Sequence, residues 1–290
     1  MGSRCEVCLE HVDESEADRI DVLAEAEVVR IEKKYSRFRS DSELARINAA
    51  ASAGSATEVD PETVALIDYA RLAYERSDGL FDPTSGLLRQ VWNFAEGRVP
   101  SQAEIEGLLP RIGLDKVVCD GNSLRFHAEG MALDLGGLGK EYAADRAAEI
   151  CLASGARSGF VSLGGDIRII GNRPHGGTWQ FGVSDPRSPR VAVALVQATT
   201  GGVATSGDYE RYFERDGRRY CHILNPKTGW PADGLRSATV LADTALLAGT
   251  LSTSAMLKGT QASAWLDTLG VEYVLVDQDA RLIGRSRPID

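Results

Sequence analysis

Sulfur and histidine are sparse in this chain: five cysteines, three methionines and four histidines among 290 residues. The cysteine count is odd, and Cys119, Cys151 and Cys221 are dispersed, which excludes a disulfide framework. Cys5 and Cys8 form the one C-x-x-C pair, but no second pair of ligands stands at a zinc-site spacing. In an alternating strand, positions 5 and 8 also point to opposite faces, so both read as buried or incidental thiols. No apolar run approaches the roughly 18 residues of a membrane span. Residues 1–15 lack a basic segment followed by an apolar one, so no secretory signal is expected and the expected location is cytoplasmic. Positive charge is in deficit too, with 32 Lys and Arg against 42 Asp and Glu and a net charge of −10. A field of that sign repels nucleic acid and anionic membrane surfaces, and excludes both as expected partners. An anionic ligand must then be held locally, by a helix N-terminus, a lysine or a metal. What remains is 43% hydrophobic and 26% charged, an ordinary globular balance, and one domain over 1–290 is expected.

Periodicity places the elements. Residues 4–11 alternate as a strand, and 15–36 carry Ile20, Leu23, Val28, Ile31 and Tyr35 on one face of a helix. Ser40 with Glu43 reads as a capping box opening a short helix through Ile47. Asp60 and Pro61 open a helix to about Arg76, and Ser101 with Glu104 opens another. Strands are expected at 116–119, 123–127 and 131–134, then a helix at 139–153. The second half is strand-rich, with expected strands at 159–163, 166–171, 178–183, 191–198, 218–224 and 236–242. Helices near 244–257 and 261–269 and strands at 273–277 and 282–283 follow. No repeat or low-complexity linker divides the chain, and the segregation of helices and strands indicates α+β, with mixed or antiparallel sheets and helices packed on them.

Thirty glycines bunch at the ends of expected strands. Gly136, Gly137 and Gly139 stand between 131–134 and a helix that begins near Lys140. A strand, a glycine turn and a helix start make an anion cradle, because free N–H groups and the helix dipole meet a phosphate there. The spacing is neither that of the dinucleotide fold nor that of the Walker loop. On its own it fits turn glycines beside a surface lysine equally well. Similar clusters occur at 164–166, 201–208 and 221–229. The last follows a strand that carries His222, whose ordinary pKa suits a general base but which also fits a hydrogen-bonded structural histidine.

Taken in order, these clusters resemble one family over positions 1–259, the FAD:protein FMN transferases of the ApbE family. The resemblance begins with Met1-Gly2-Ser3 and continues with Tyr35-Ser36-Arg37-Phe38, Asp41-Ser42-Glu43-Leu44 and Asn48. Ser77-Asp78-Gly79-Leu80-Phe81-Asp82-Pro83-Thr84 is similar to the family's S-D-G-x-F-D-P-T. Asp134-Leu135-Gly136-Gly137, Lys140 and Tyr142-Ala143-Ala144-Asp145 are similar to D-L-G-x-x-x-K-G-Y-x-x-D. Leu163-Gly164-Gly165-Asp166, Ala204-Thr205-Ser206-Gly207-Asp208 and His222-Ile223-Leu224-Asn225-Pro226 complete the series.

The resemblance implies an α/β, T-fold-like architecture holding one FAD between its subregions, and a reaction that moves FMN onto a Thr or Ser hydroxyl of a target flavoprotein with release of AMP. It implies FAD contacts at Met1, Phe38, Leu80, Phe81, Asp82, Asp134, Lys140 and Ile223, and a base at His222. It also implies Mg²⁺ held by the Gly137 backbone oxygen, an aspartate and Thr253. Here the chain departs from the family. The family's D-A-L-S-T reads Gly249-Thr250-Leu251-Ser252-Thr253, so the aspartate of the metal site is a glycine. Glu141 stands where the family commonly has glycine, and Asn225 replaces an aspartate. Two readings follow: a transferase whose metal site is remodelled around Thr253, with Asp243 or Asp82 recruited, or an FAD-binding homologue with weak or no transfer. The expected effect of Gly249→Asp is tighter metal binding and a gain in FMN transfer, and no gain would point to another residue, first Asp243, in the vacant role.

Overall fold

The computed structural model describes residues 4–285, so Met1 lies outside the described residues. In chain order the elements begin with β1 (Cys5–Leu9), α1 (Glu14–Tyr35), α2 (Glu43–Ser52), β2 (Thr57–Glu58) and α3 (Pro61–Arg76). There follow α4 (Gln102–Glu106), β3 (Val117–Asp120), β4 (Ser123–Phe126), α5 (Gly139–Ala153), β5 (Gly159–Leu163) and β6 (Asp166–Gly171). Next are β7 (Trp179–Asp185), β8 (Ser188–Ala198), β9 (Gly202–Gly207), β10 (Tyr212–Arg215) and β11 (Arg218–Cys221). The chain closes with β12 (Leu235–Ala242), α6 (Ala245–Lys258), α7 (Ala262–Leu269), β13 (Glu272–Asp277) and β14 (Leu282–Gly284). The fold is α+β, as expected.

The elements cluster into two compact units built from interleaved segments. The first takes the chain up to Lys33, Gly137–Tyr209 and the chain from Gly234. Its centre is a seven-stranded sheet in the order β1-β5-β6-β9-β12-β13-β14, antiparallel at every pairing. β7 and β8 form a separate hairpin. The glycine-rich stretch 201–208, which lies in none of the expected strands, forms β9 in the middle of the sheet. Glycine serves there because a neighbouring backbone comes close. A Cβ at Gly202 would lie 2.3 Å from the Ala245 nitrogen, where α6 begins. α6 is buried on most of its surface. Its hydroxyls turn back onto their own helix: Thr250 donates to the Leu246 carbonyl at 2.6 Å and Ser254 to the Thr250 carbonyl at 2.8 Å, a local solution that makes buried hydroxyls tolerable.

The second unit comprises Lys34–Gly136 and Glu210–Asp233. It contains a three-stranded sheet, β2-β4-β3, and the β10-β11 hairpin. Leu87, Leu88, Trp92, Ile105, Leu108, Ile112 and Leu224 form a core in which the Trp92 indole N–H donates to the Gly229 carbonyl at 2.8 Å. Asp60 caps α3 and Ser101 closes a capping box at α4, both as expected. The cap of α2 is Ser42 rather than Ser40, which is exposed. The Ser42 hydroxyl accepts from the Ala45 N–H at 3.0 Å, the reach that an N-cap three residues upstream provides.

Residues 131–134 form no strand. Their backbone is satisfied by a side chain instead. The Asn48 amide accepts from the Leu133 N–H at 2.7 Å and donates to the Leu133 carbonyl at 2.9 Å, while the Asp134 N–H donates to the Pro83 carbonyl at 2.8 Å. An apolar run that reads as a strand can thus be an extended segment held by one asparagine. Asn48→Ala leaves two Leu133 backbone groups without these partners, and the expected loss is about 2–4 kcal/mol, from about 1–3 kcal/mol per stranded group. Urea unfolding of the parent and the variant measures it.

Candidate functional site

In the second unit Arg37, Arg89 and the Gly136 amide gather around Asp134. Arg37 donates to Oδ2 at 2.6 Å, Arg89 Nε donates to the same oxygen at 2.9 Å, and the Gly136 N–H donates to Oδ1 at 2.9 Å. Burial by itself raises the Asp134 carboxyl, but the charges of Arg89 and Arg37 and the Gly136 N–H outweigh it and hold the group below the usual carboxylate range. The Arg37 guanidinium also lies 4.5 Å from the centroid of the Phe38 ring. That ring is 83% exposed, a large apolar face backed by a cation and suited to an aromatic ligand. Its loop is held from behind, because the Ser42 hydroxyl donates to the Ser36 carbonyl at 2.7 Å.

Leu80 is half-buried, whereas Phe81 and Asp82 are buried. Asp82 Oδ1 accepts from the Thr84 N–H at 2.8 Å and from its hydroxyl at 2.7 Å, capping the 3-10 helix Pro83–Gln90. Burial pushes the Asp82 carboxyl up, and the Thr84 bonds oppose this. β11 ends at Cys221, so His222 stands just beyond the strand expected to contain it. Its backbone N–H donates to the Arg211 carbonyl at 2.9 Å, and its Nδ1 is buried. The turn that follows is tightly closed: the Asn225 side chain accepts from Lys227 N–H at 2.9 Å and Thr228 N–H at 3.3 Å, and the Ala232 N–H donates to the Ile223 carbonyl at 2.8 Å. Asparagine does the turn's work without the aspartate's charge.

In the first unit, α5 begins at Gly139, two residues after Gly137. Leu138 gives α5 no side-chain cap, and a Cβ placed on Gly139 would meet no atom within 4 Å. The start of α5 therefore has no side-chain cap and has room beside Gly139, with Lys140 next in the chain. Lys140 Nζ pairs with Asp166 at 2.5 Å, and Asp166 Oδ1 accepts from the Thr205 N–H at 3.3 Å. Next along α5, Glu141 is 6% exposed, and its Oε2 has no hydrogen-bond partner. Burial, then the nearby Asp166 with which it shares a hydrogen bond, pushes the Glu141 carboxyl up to about 8. On α6, Thr253 lies 3.0 Å from the Ser206 hydroxyl of β9, which also meets Ser252 at 2.8 Å.

The two helices are locked together by Asp145. Its carboxylate accepts from the Ala245 and Leu246 N–H groups, each at 2.9 Å, and so satisfies orphan amides at the start of α6. One turn away, a Cβ on Gly249 would fall 2.5 Å from Glu141 Cγ and 3.0 Å from its Cδ. An aspartate at 249 would therefore meet the Glu141 side chain, which has to shift to admit it. Asp243 is exposed ahead of α6, where its backbone carbonyl accepts from Arg168. Among the described residues, no group of three or more His, Cys, Asp or Glu could hold a metal ion, and no helix is long and apolar enough to cross a membrane.

The ApbE family profile matches residues 1–275 of this chain. The chain belongs to the ApbE family. The ApbE protein of Thermotoga maritima, known from a crystal structure, superposes with a TM-score of 0.90 at 35% identity, covering 98% of this chain and 94% of that one. The FAD:protein FMN transferase of Haemophilus influenzae is 32% identical over 246 residues, 81% of this chain and 71% of the relative. That of Rhodobacter capsulatus is 30% identical over 267 residues, and the chain spans 50% of its length. The family is thus one of transferase enzymes.

Sequence reasoning gave Arg89 and Asp145 no role, and took Glu141 only as an adverse charge. Arg89 sits in a 3-10 helix with no motif to single it out. Asp145 and Glu141 were legible in principle, since residues four apart share a helix face. The Asp134 cluster has a measurable signature. Asp134→Asn leaves two arginines without their anion, and the expected loss near neutrality is about 2–3 kcal/mol, at the low end for a broken buried pair because both arginines are partly exposed. Since folding lowers the Asp134 pKa, its stabilisation is present above the ordinary carboxylate range and is lost as pH falls through the lowered value. The gap between parent and variant in urea unfolding should narrow on acidification.

Proposed function

We propose that residues 1–290 act as a single flavin transferase domain that moves FMN from FAD onto a Thr or Ser hydroxyl of a target flavoprotein and releases AMP. The observation that supports this reading is the start of α5, which has no side-chain cap, has room beside Gly139 and carries Lys140 in its first turn. This is the chemistry a diphosphate needs: N–H donors, a favourable helix dipole and a cation. The likeness to FAD:protein FMN transferases supports FAD as that diphosphate. In this reading Phe38, Leu80 and Ile223 give the FAD apolar contact, Asp134 with its arginines gives polar contact, and Phe81 and Asp82 hold the Leu80 loop in shape. Met1 belongs to the same proposed set.

Transfer requires the acceptor oxygen to attack the FMN-side phosphorus while the bond to AMP breaks and the hydroxyl proton leaves. His222 takes that proton. The donor set beside Lys140 consists of hard oxygens (a carboxylate and hydroxyls), which fits Mg²⁺. When bound, the cation neutralises charge on the diphosphate as the leaving group departs. The expected location is cytoplasmic, and the acceptor is a flavoprotein carrying a reactive hydroxyl.

The direct test is incubation of the full chain with FAD, Mg²⁺ and a threonine-bearing flavoprotein domain, followed by in-gel flavin fluorescence and measurement of AMP. Covalent fluorescence with equimolar AMP supports transfer, and its absence with several acceptors removes it. Lys140→Ala should weaken FAD binding by about 1.5–3 kcal/mol, the worth of a charge-assisted contact, as read by fluorescence quenching. His222→Ala should keep FAD affinity and lose turnover by roughly 10²–10⁴-fold. Equal losses in binding and rate would mark His222 as a structural part of the turn.

A further inference from the structure

Asp145 meets Ala245 and Leu246, and Glu141 meets Gly249 one turn along each helix. The two helices therefore run in opposite directions in a fixed register. One turn beyond Gly249 on α6 stands Thr253, and just ahead of Glu141 in the chain is the start of α5. Against Gly249, one turn before Thr253, lies the Glu141 carboxyl. It is nine-tenths buried, one oxygen is turned to Asp166, and the other, Oε2, has no partner. A buried carboxylate oxygen without a donor is costly unless something absent from the polypeptide satisfies it.

Most of the local anions are already engaged. Asp166 is shared between Lys140 and the Thr205 N–H, and Asp145 is committed to the start of α6 and lies 3.5 Å from Arg168. Glu141 Oε2 is the uncommitted acceptor of the group. The hydroxyls of Ser206 and Thr253, 3.0 Å apart, add hard oxygen donors on the α6 side. Mg²⁺ and Mn²⁺ are held in this style, by one or two carboxylates, retained waters and a substrate's phosphates, without an all-protein cage.

We propose that Glu141 is the carboxylate ligand of a divalent cation at the start of α5, and that Gly249 is glycine because the glutamate, reaching across from the neighbouring helix, occupies the space an aspartate there would fill. The ligand has changed helix and kept its place. Asp243 and Asp82 are not needed for it. The inference rests on the transferase reading only for the identity of the phosphate-bearing partner.

The test is Mn²⁺ binding to the full chain with FAD present, followed by loss of the free-ion paramagnetic resonance signal, with Mg²⁺ as competitor. Glu141→Gln keeps shape and removes the carboxyl that would ionise against a cation, and Mn²⁺ affinity should fall on the order of tenfold or more, at least what loss of an outer-shell partner costs a metal site. Gly249→Asp alone should crowd Glu141 and lower the unfolding temperature. The exchange Glu141→Gly with Gly249→Asp should fold, by circular dichroism, and bind Mn²⁺ close to the parent. A parent that takes up no Mn²⁺, a Glu141→Gln protein that binds like the parent, or a folded exchange variant that binds none would each overturn the assignment. Glu141-dependent Mn²⁺ binding without FMN transfer to any acceptor would leave the ligand assignment standing and remove the transferase reading. FMN transfer together with Mn²⁺ binding indifferent to Glu141 would do the reverse.

Discussion

Asp145 reaches from the middle of α5 to the first two amides of α6, and much of the first unit's chemistry follows from that contact. A helix start leaves several N–H groups without partners, and a buried start must find acceptors. Thr244 supplies one from the α6 side, accepting from the Leu247 N–H at 3.0 Å. Asp145 supplies two from the other helix, and in doing so fixes the register between them. Once that register is set, the residues facing each other one turn along are no longer independent. A side chain at 141 and a side chain at 249 compete for one volume.

The second unit is organised by a different constraint, a buried anion between two cations. Asp134 would be costly inside the protein by itself, and Arg37 and Arg89 would repel each other without it. Together they form a rigid polar patch, and Arg37 carries that rigidity to the exposed Phe38 ring. The ring needs no apolar pocket to hold its position, because a cation backs one face and the Ser42 hydroxyl ties down the loop behind it.

Much of this was legible in the sequence wherever local chemistry decided the structure. α5 falls at 139–153 because a glycine turn precedes an uninterrupted helical run, and the caps at Asp60 and Ser101 follow from side chains that reach N–H groups two or three residues away. Legibility failed where a distant residue decided. Residues 131–134 have the apolar pattern of a strand, yet Asn48 supplies their hydrogen bonds, and nothing in the local pattern signals a partner 85 positions away. The stretch at 201–208 has the composition of a turn, yet its glycines are demanded by the approach of α6 to the central strand. The motif residues around Asp134 were placed correctly in the chain, but Arg89, which helps set its charge, belongs to no motif.

Glu141 and Gly249 show the same limit from the other side. Taken singly, each is a defect against the family pattern: a negative charge beside a phosphate cradle, and a missing carboxylate in a metal site. Taken as a pair in a fixed helix register, they are one change. A glycine inside a helix costs up to about 1 kcal/mol relative to alanine, which needs a reason in a helix as well packed as α6. The reason is volume, since any side chain at 249 would strike the Glu141 stem. Conversely, a glutamate at 141 can bury its stem only where its neighbour has no Cβ. Each residue supplies the condition the other requires, so substitutions at these two positions should be strongly non-additive, as contacting sites sharing one volume are. A ligand pattern in such a site is better defined by the space that donor oxygens occupy than by the positions of the residues that carry them.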